Sequence, residues 1–385
     1  MNHTTDRNHS KKLKMITFLI LASVLLLVGV LYSTDIGNQS SSDESAHPSR
    51  KKVSEVIKTN PAGTTSVGTQ TSPEKAEKTE TTVPTPSFLN LLEGNSDTIK
   101  LEGVSPEETI QWISSDPAVA SVDALGKVTG TGVGQTTITA KSDKINVSVP
   151  VNTYQLPKEK RDAKLTILNQ EGKLIHYNGF SQHAGPYGKY NIYMPYNGCA
   201  TCTASTILSA YGNYDTLIRP PYFIEKIERK YTGKGWKRIH PIGNPHTLPL
   251  SMNGIYQILK TEGISVYYHP DYSSLAEAQK AIKEQLSTGN PVIIEVGKKN
   301  HYTGKRSNRY TNSIHTMALI TMAGKNQVIL LDSVNRKWYD GPQRFKLVDF
   351  DDVTAYMFSS TEKPSGYYYH SRQSDGGFIT VGKER

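Results

Sequence analysis

Four stretches with different hydrophobic rhythm follow one another along the chain. Met15 to Tyr32 is unbroken apolar sequence, eighteen residues without a charge. As a helix it would reach about 27 Å, close to the hydrocarbon thickness of a bilayer. Arg7, Lys11, Lys12 and Lys14 precede it, so the positive-inside rule makes 1–14 a cytoplasmic basic tail and sends everything after Tyr32 outside. A cleaved signal peptide would have a shorter apolar core and a small-residue cleavage site; with no such site after the run, 15–32 reads as an uncleaved transmembrane signal-anchor. Residues 33–87 hold no aromatic residue and are rich in Ser, Thr, Pro, Lys and Glu. Such a stretch cannot bury enough apolar surface to offset its ordering entropy, and it reads as a disordered linker.

From 88 to 154 the pattern changes to short alternating runs. Thr98–Glu102, Ile110–Ile113, Val119–Val122, Thr136–Ala140 and Ile145–Val149 are punctuated by Gly or Pro. That spacing predicts a small all-β sandwich. The run from Trp112 to Asp123, followed by Gly126-Lys-Val-Thr-Gly and Gly134-Gln-Thr-Thr-Ile-Thr-Ala, resembles the group 2 bacterial immunoglobulin-like domain. Trp112 is then expected to plug the core, and the domain to act as a spacer.

The remaining residues, 155–385, mix both periods and hold the candidate chemistry. Leu165–Leu168 reads as a strand. In Tyr196-Asn-Gly-Cys199-Ala-Thr-Cys202-Thr-Ala-Ser-Thr-Ile-Leu-Ser-Ala-Tyr-Gly212 the residues Ala200, Ala204, Ile207, Leu208 and Tyr211 follow helical spacing. Asn197-Gly198 before and Gly212 after frame a helix with Cys199 at or near its N-terminus. There the unpaired N–H groups and the helix dipole would favour a thiolate. Leu275–Leu286 predicts an amphipathic helix, and Val292–Val296 a buried strand after Gly289-Asn-Pro. A cysteine nucleophile needs an imidazole and a group to orient it. Of eleven His, His315 is best placed. It opens an apolar run to Met322, and a Gly324-Lys-Asn turn links that run to Gln327–Asn335. A hairpin there would bring Asp332, or failing it Asn335, to the ring. His301 is the rival base, in a polar loop.

This ordered set resembles papain-like cysteine peptidases of the bacteriocin-processing, double-glycine type. It comprises Gln182, a Gly-Cys opening a helix that ends in Tyr-Gly, a helix leading to Gly-Asn-Pro-Val, and a His-strand-Asp element. The resemblance implies an α+β papain-like fold, with Cys199 as nucleophile, His315 as base, Asp332 as orienting residue and Gln182 in the oxyanion hole. Three departures stand out: Ala200 where Gly is usual, Ser333 where Pro is usual, and seventeen residues between Gln182 and Cys199. The third bears on the oxyanion assignment. No nucleotide-binding P-loop accompanies the domain, which removes the leader-processing transporter arrangement.

Composition narrows the alternatives. Lys plus Arg number 44 against 35 Asp plus Glu, a net charge of +9 without a basic stripe; nucleic acid is not an expected partner, and anionic surfaces are mildly favoured. Two cysteines exclude a disulfide framework. Cys202, one turn after Cys199, is expected to pack inward. A Cys-x-x-Cys redox pair is the sharper alternative, although Pro195-Tyr-Asn-Gly precedes it rather than a strand. His240 and His246 sit in a Pro-rich loop and read as bystanders rather than zinc ligands; no cofactor or metal is expected. Tyr367–Tyr369 and the Gly376-Gly-Phe tail read as a closing strand or a flexible end. Taken together, the chain reads as a membrane-anchored extracellular cysteine hydrolase at a bacterial surface or wall, cleaving a peptide, surface-protein or wall-peptide amide. The alternatives are a catalytically silent binding module using the same cleft, and an extracellular thiol–disulfide oxidoreductase.

Overall fold

A computed structural model describes residues 82–105, 107–183, 185, 187–228, 250–334, 343–362 and 376–383. The apolar run 15–32, the linker as far as Thr81, His240, His246, Asn335 and Tyr367–Tyr369 lie outside the described residues. Among those described, no helix is long and apolar enough to cross a membrane.

The β region is built from nine strands. They are β1 (Val83–Thr85), β2 (Leu89–Leu92), β3 (Ser96–Thr98), β4 (Lys100–Glu102), β5 (Gln111–Ser114), β6 (Ala120–Val122), β7 (Lys127–Gly130), β8 (Gly134–Lys141) and β9 (Asn146–Tyr154). A four-stranded sheet, β2-β9-β8-β5, faces a three-stranded one, β3-β7-β6. Leu89, Leu91, Ile99, Val128, Ile138, Val149 and Val151 fill the space between them with Trp112 packed against them, and each such buried aliphatic contributes about 1.5–3 kcal/mol. Gly126 has φ +76°, and a Cβ there would lie 2.7 Å from Trp112 Cζ2, so the ring seats itself only because the turn beneath it lacks a side chain. The disordered linker was expected to run to Ser87, yet Val83–Thr85 pairs antiparallel with Lys100–Glu102. Pro84 lacks the N–H that a central strand would need, and an edge ribbon tolerates that.

The sandwich, which the immunoglobulin-like resemblance sets apart as a separate domain, packs against the region that follows it. Its last residue, Tyr154, is buried in the same apolar cluster as the α+β region, with Leu92 and Leu156 packed beside it. Asn90 behaves like an extra strand residue: Oδ1 accepts from Leu168 N at 2.8 Å and Nδ2 donates to Leu168 O at 2.7 Å. Asn152 Nδ2 donates to Thr166 O at 3.0 Å, and Asn95 Nδ2 to Ala323 O at 2.9 Å. Side-chain amides thus satisfy strand-edge groups that burial would otherwise leave unpaired.

Beyond the junction, β10 (Ala163–Leu168) and β11 (Leu174–Gly179) form a hairpin, and α1 (Met194–Tyr211) packs on it and on the main sheet. Two further helices begin at serine caps. Ser251 Oγ accepts from Gly254 N at the start of α2 (Met252–Thr261). Ser274 Oγ accepts from Glu277 N at the start of α3 (Leu275–Ser287), while Glu277 reaches back to Ser273 N at 2.9 Å; such reciprocal capping satisfies otherwise orphaned N–H groups. The main sheet contains β12 (Val266–His269), β13 (Val292–Val296), β14 (His315–Met322), β15 (Gln327–Leu331), β16 (Phe345–Asp349) and β17 (Phe378–Val381), in the order β12-β17-β13-β14-β15-β16. The tail therefore supplies a closing strand, inserted between β12 and β13. A short helix, α4 (Phe350–Thr354), follows β16. Apolar clusters cover both faces of this sheet, which is why β13 and β14 read as nearly continuous apolar runs.

Candidate active site

The helix bearing Cys199 begins earlier than the sequence implied. Asn197-Gly198 read as the boundary before the helix, but α1 starts at Met194 with Pro195 in its first turn, where proline's missing N–H costs nothing and its φ suits a helix. Gly198 continues the helix because it is a crossing point: a Cβ there would lie 2.7 Å from Met194 Cε and 3.1 Å from Gln182 Cβ. Cys199 is consequently in the second turn, where the dipole's influence has largely decayed. The thiol owes its character to other neighbours. Burial alone would raise its pKa; the hydrogen bond and charge of His315, with the N–H groups of Thr316 and Ala200, outweigh burial and bring it below the ordinary value.

The β14–β15 hairpin puts the imidazole and carboxylate together as the spacing predicts. Ala318 pairs with Leu331 and Leu319 with Leu330, so the start of β14 lies beside the residues just after β15. His315 Nε2 is 2.7 Å from Asp332 Oδ1, which leaves Nδ1 for Cys199. Both are deeply buried, His315 with 4% of its side chain exposed and Asp332 with none. Burial pushes the imidazole down, but the Asp332 charge and hydrogen bond, then Cys199, raise it to about 9. His301, the rival base, lies 3.7 Å from Glu362 in its own loop.

Asp332 is held from three further directions. Val334 N donates to Oδ1 at 2.8 Å, Lys346 Nζ to Oδ2 at 2.9 Å, and Arg344 Nη1 to the backbone carbonyl at 3.0 Å. Burial would raise its carboxyl pKa, yet Lys346 and His315 hold it well below the usual carboxylate range. Neither Lys346 nor Arg344 stands out in the sequence. Lys346 occupies an ordinary alternating strand position, and its burial follows only from both sheet faces being covered.

Gln182 lies against α1. Its Nε2 donates to Pro195 O at 3.0 Å, its Oε1 accepts from Ser333 Oγ at 2.7 Å, and its backbone N donates to Ser333 O at 3.0 Å. Ser333, in the sequence a departure, therefore ties Gln182 to the Asp332 turn. The seventeen-residue interval is taken up by the segment between β11 and α1. His183 follows, and partial desolvation of its ring, then the charge of Arg344, holds its pKa below the ordinary value. Cys202 packs inward as expected, its pKa raised by burial, then by Cys199. Both cysteines are free thiols. Among the described residues, no group of three or more His, Cys, Asp or Glu is arranged to hold a metal ion.

A family-level likeness covers this region: residues 174–356 match the Peptidase_C39 like family. They form a peptidase-like domain similar to that family. The β region fits the bacterial Ig-like domain (group 2) over residues 91–152, so the two domains stand in the order that the sequence predicts. Among solved structures, domains 4 and 5 of the S-layer protein SbsC are similar at 27% identity, covering 19% of this chain and 51% of that one, with a TM-score of 0.17. An Ig-like-domain-containing GH10 xylanase from termite gut shares 24% identity over 22% of this chain and 21% of its own, at a TM-score of 0.16. A mutant intimin of EHEC O157:H7 shares 24% over 21% and 43%, at 0.15. The chain thus spans about half or less of these proteins. No curated protein matches it.

Proposed function

We propose that this C39-like chain is an active cysteine peptidase, tethered through 15–32 with its catalytic part outside the cell, and that it cleaves a peptide or related amide at the bacterial surface or wall. The observation that carries the reading is the buried series from Cys199 to His315 to Asp332, with the thiol shifted down and the imidazole up. Those shifts favour a thiolate–imidazolium pair at neutral pH, the state from which a cysteine attacks. Cys199 Sγ forms a bond to the substrate carbonyl carbon, and the carbonyl π electrons move to oxygen. The second N–H of Gln182 Nε2, whose other N–H is held by Pro195 O, is the candidate to stabilise that charge. Collapse breaks the C–N bond, His315 gives its proton to the leaving amine, and water then releases the acyl group from sulfur. The redox alternative draws less support: burial keeps Cys202 a thiol, which is a poor resolving partner.

The test is the pH dependence of alkylation at each cysteine of the full chain, resolved by peptide mass mapping. Rapid labelling of Cys199 well below pH 7, slow labelling of Cys202, and loss of the difference in His315→Ala are expected. Two slow thiols with ordinary pKa values near 8.5 would refute it.

A further inference from the structure

One stretch of the chain carries positive charge without any counter-charge of its own. From Gly297 to Leu331 the chain has six Lys or Arg and no Asp or Glu. Five of the six, Lys298, Lys299, Lys305, Arg306 and Arg309, belong to the loop between β13 and β14. That loop leaves and re-enters the sheet at the catalytic end, because Val296, the last residue of β13, pairs with His315, the first of β14.

The loop is held in shape before any ligand arrives. Lys299 and Arg306 form a backbone bridge, and Ser307 N donates to Lys298 O at 2.9 Å. Asn300 Oδ1 accepts from Tyr302 N and Thr303 N, while His301 N donates to Ala355 O. Lys299, Lys305, Arg306 and Arg309 are exposed, as is Tyr302 at 59%. Arg309 is paired with Asp352 at 2.6 Å, and Glu362 lies near His301. Lys298, Lys299 and Lys305 have no side-chain partner among the described residues.

We propose that this loop is a docking edge for acidic segments of the peptide substrate, an inference that rests on the peptidase reading. Cations on a loop at the catalytic end of the sheet raise the local concentration of carboxylate-bearing chains near Cys199. Tyr302 offers an aromatic face between them, and the preformed loop lowers the ordering cost of binding. A peptide fits better than a lipid surface, because the loop shows one exposed aromatic ring rather than an apolar face to insert.

The test uses the full chain carrying Cys199→Ala and two dye-labelled probes, hexaglutamate and hexaglutamine, read by fluorescence anisotropy. Hexaglutamate is expected to bind more tightly, to weaken with added salt, and to lose about tenfold in affinity in Lys299→Glu/Lys305→Glu. In the chain with Cys199 intact, hexaglutamate is expected to slow alkylation of that thiol. Equal binding of both probes, or indifference to the charge reversal, overturns the proposal. So does inorganic polyphosphate of equal charge binding as tightly through the same lysines, which would mark the loop as a general anion trap. Failure of the peptidase reading looks different: slow alkylation of Cys199 without any probe.

Discussion

Lys346 is the buried charge on which the candidate site depends most. Its ammonium is 2.9 Å from Asp332 Oδ2 and 3.0 Å from Val334 O, with 4% of its side chain exposed. Lys346→Met keeps the stem and deletes the charge. Removing one partner of a buried pair costs about 3–5 kcal/mol, because the other charge is left uncompensated. Asp332 still keeps His315 Nε2 at 2.7 Å and Val334 N at 2.8 Å, so the lower end, about 3 kcal/mol, is expected. The assay is hydrogen exchange across β14–β16 in the full chain with Cys199→Ala, comparing Lys346→Met, Asp332→Asn and the double variant. If the two groups act as a pair, the double variant loses less than the sum by about 1.5 kcal/mol or more. The Asp332 carboxyl is depressed in the folded chain, so its stabilisation is present above about pH 4 and lost as pH falls; the gap between parent and Lys346→Met should narrow in acid. A loss below about 1 kcal/mol, or strict additivity, would refute the reasoning.

Other substitutions probe other links. Asp332→Asn removes the charge that raises His315, so the imidazole should fall from about 9 toward its ordinary value, and the basic limb of Cys199 alkylation should move to lower pH. The raised His315 pKa itself stabilises the fold fully below about pH 6.5, and that contribution is lost as pH rises through about 9. Ser333→Ala strips the hydroxyl from Gln182 Oε1 at a cost of about 1–3 kcal/mol; with a cleavable substrate, kcat should fall while KM holds. Asn90→Ala should weaken the junction by about 1–3 kcal/mol in hydrogen exchange of β10, leaving Cys199 alkylation unchanged. Gly126→Ala forces a side chain at φ +76° into Trp112, and should lower the sandwich's melting temperature without touching the thiol.

By itself the sequence determined the order of the elements and which groups meet at the candidate site. Alternating runs between 88 and 154 could bury one face only as a sandwich. The His-strand-turn-strand-Asp arrangement left few registers open, since a one-residue slip turns every side chain over. Cys199, His315 and Asp332 were legible for that reason. Tertiary structure decided what surrounds them. Gly198 lies within α1 where Gln182 passes close to it, a contact between segments that no local pattern contains. The burial of Lys346 and Arg344 required a sheet covered on both faces, whereas a strand's own alternation cannot reveal that. The role of Ser333 and the bonds of Asn90 to Leu168 likewise arise from partners 151 and 78 residues apart, and such partners become neighbours only once the core has formed. Local sequence sets which groups are brought together; long-range packing sets their charge state.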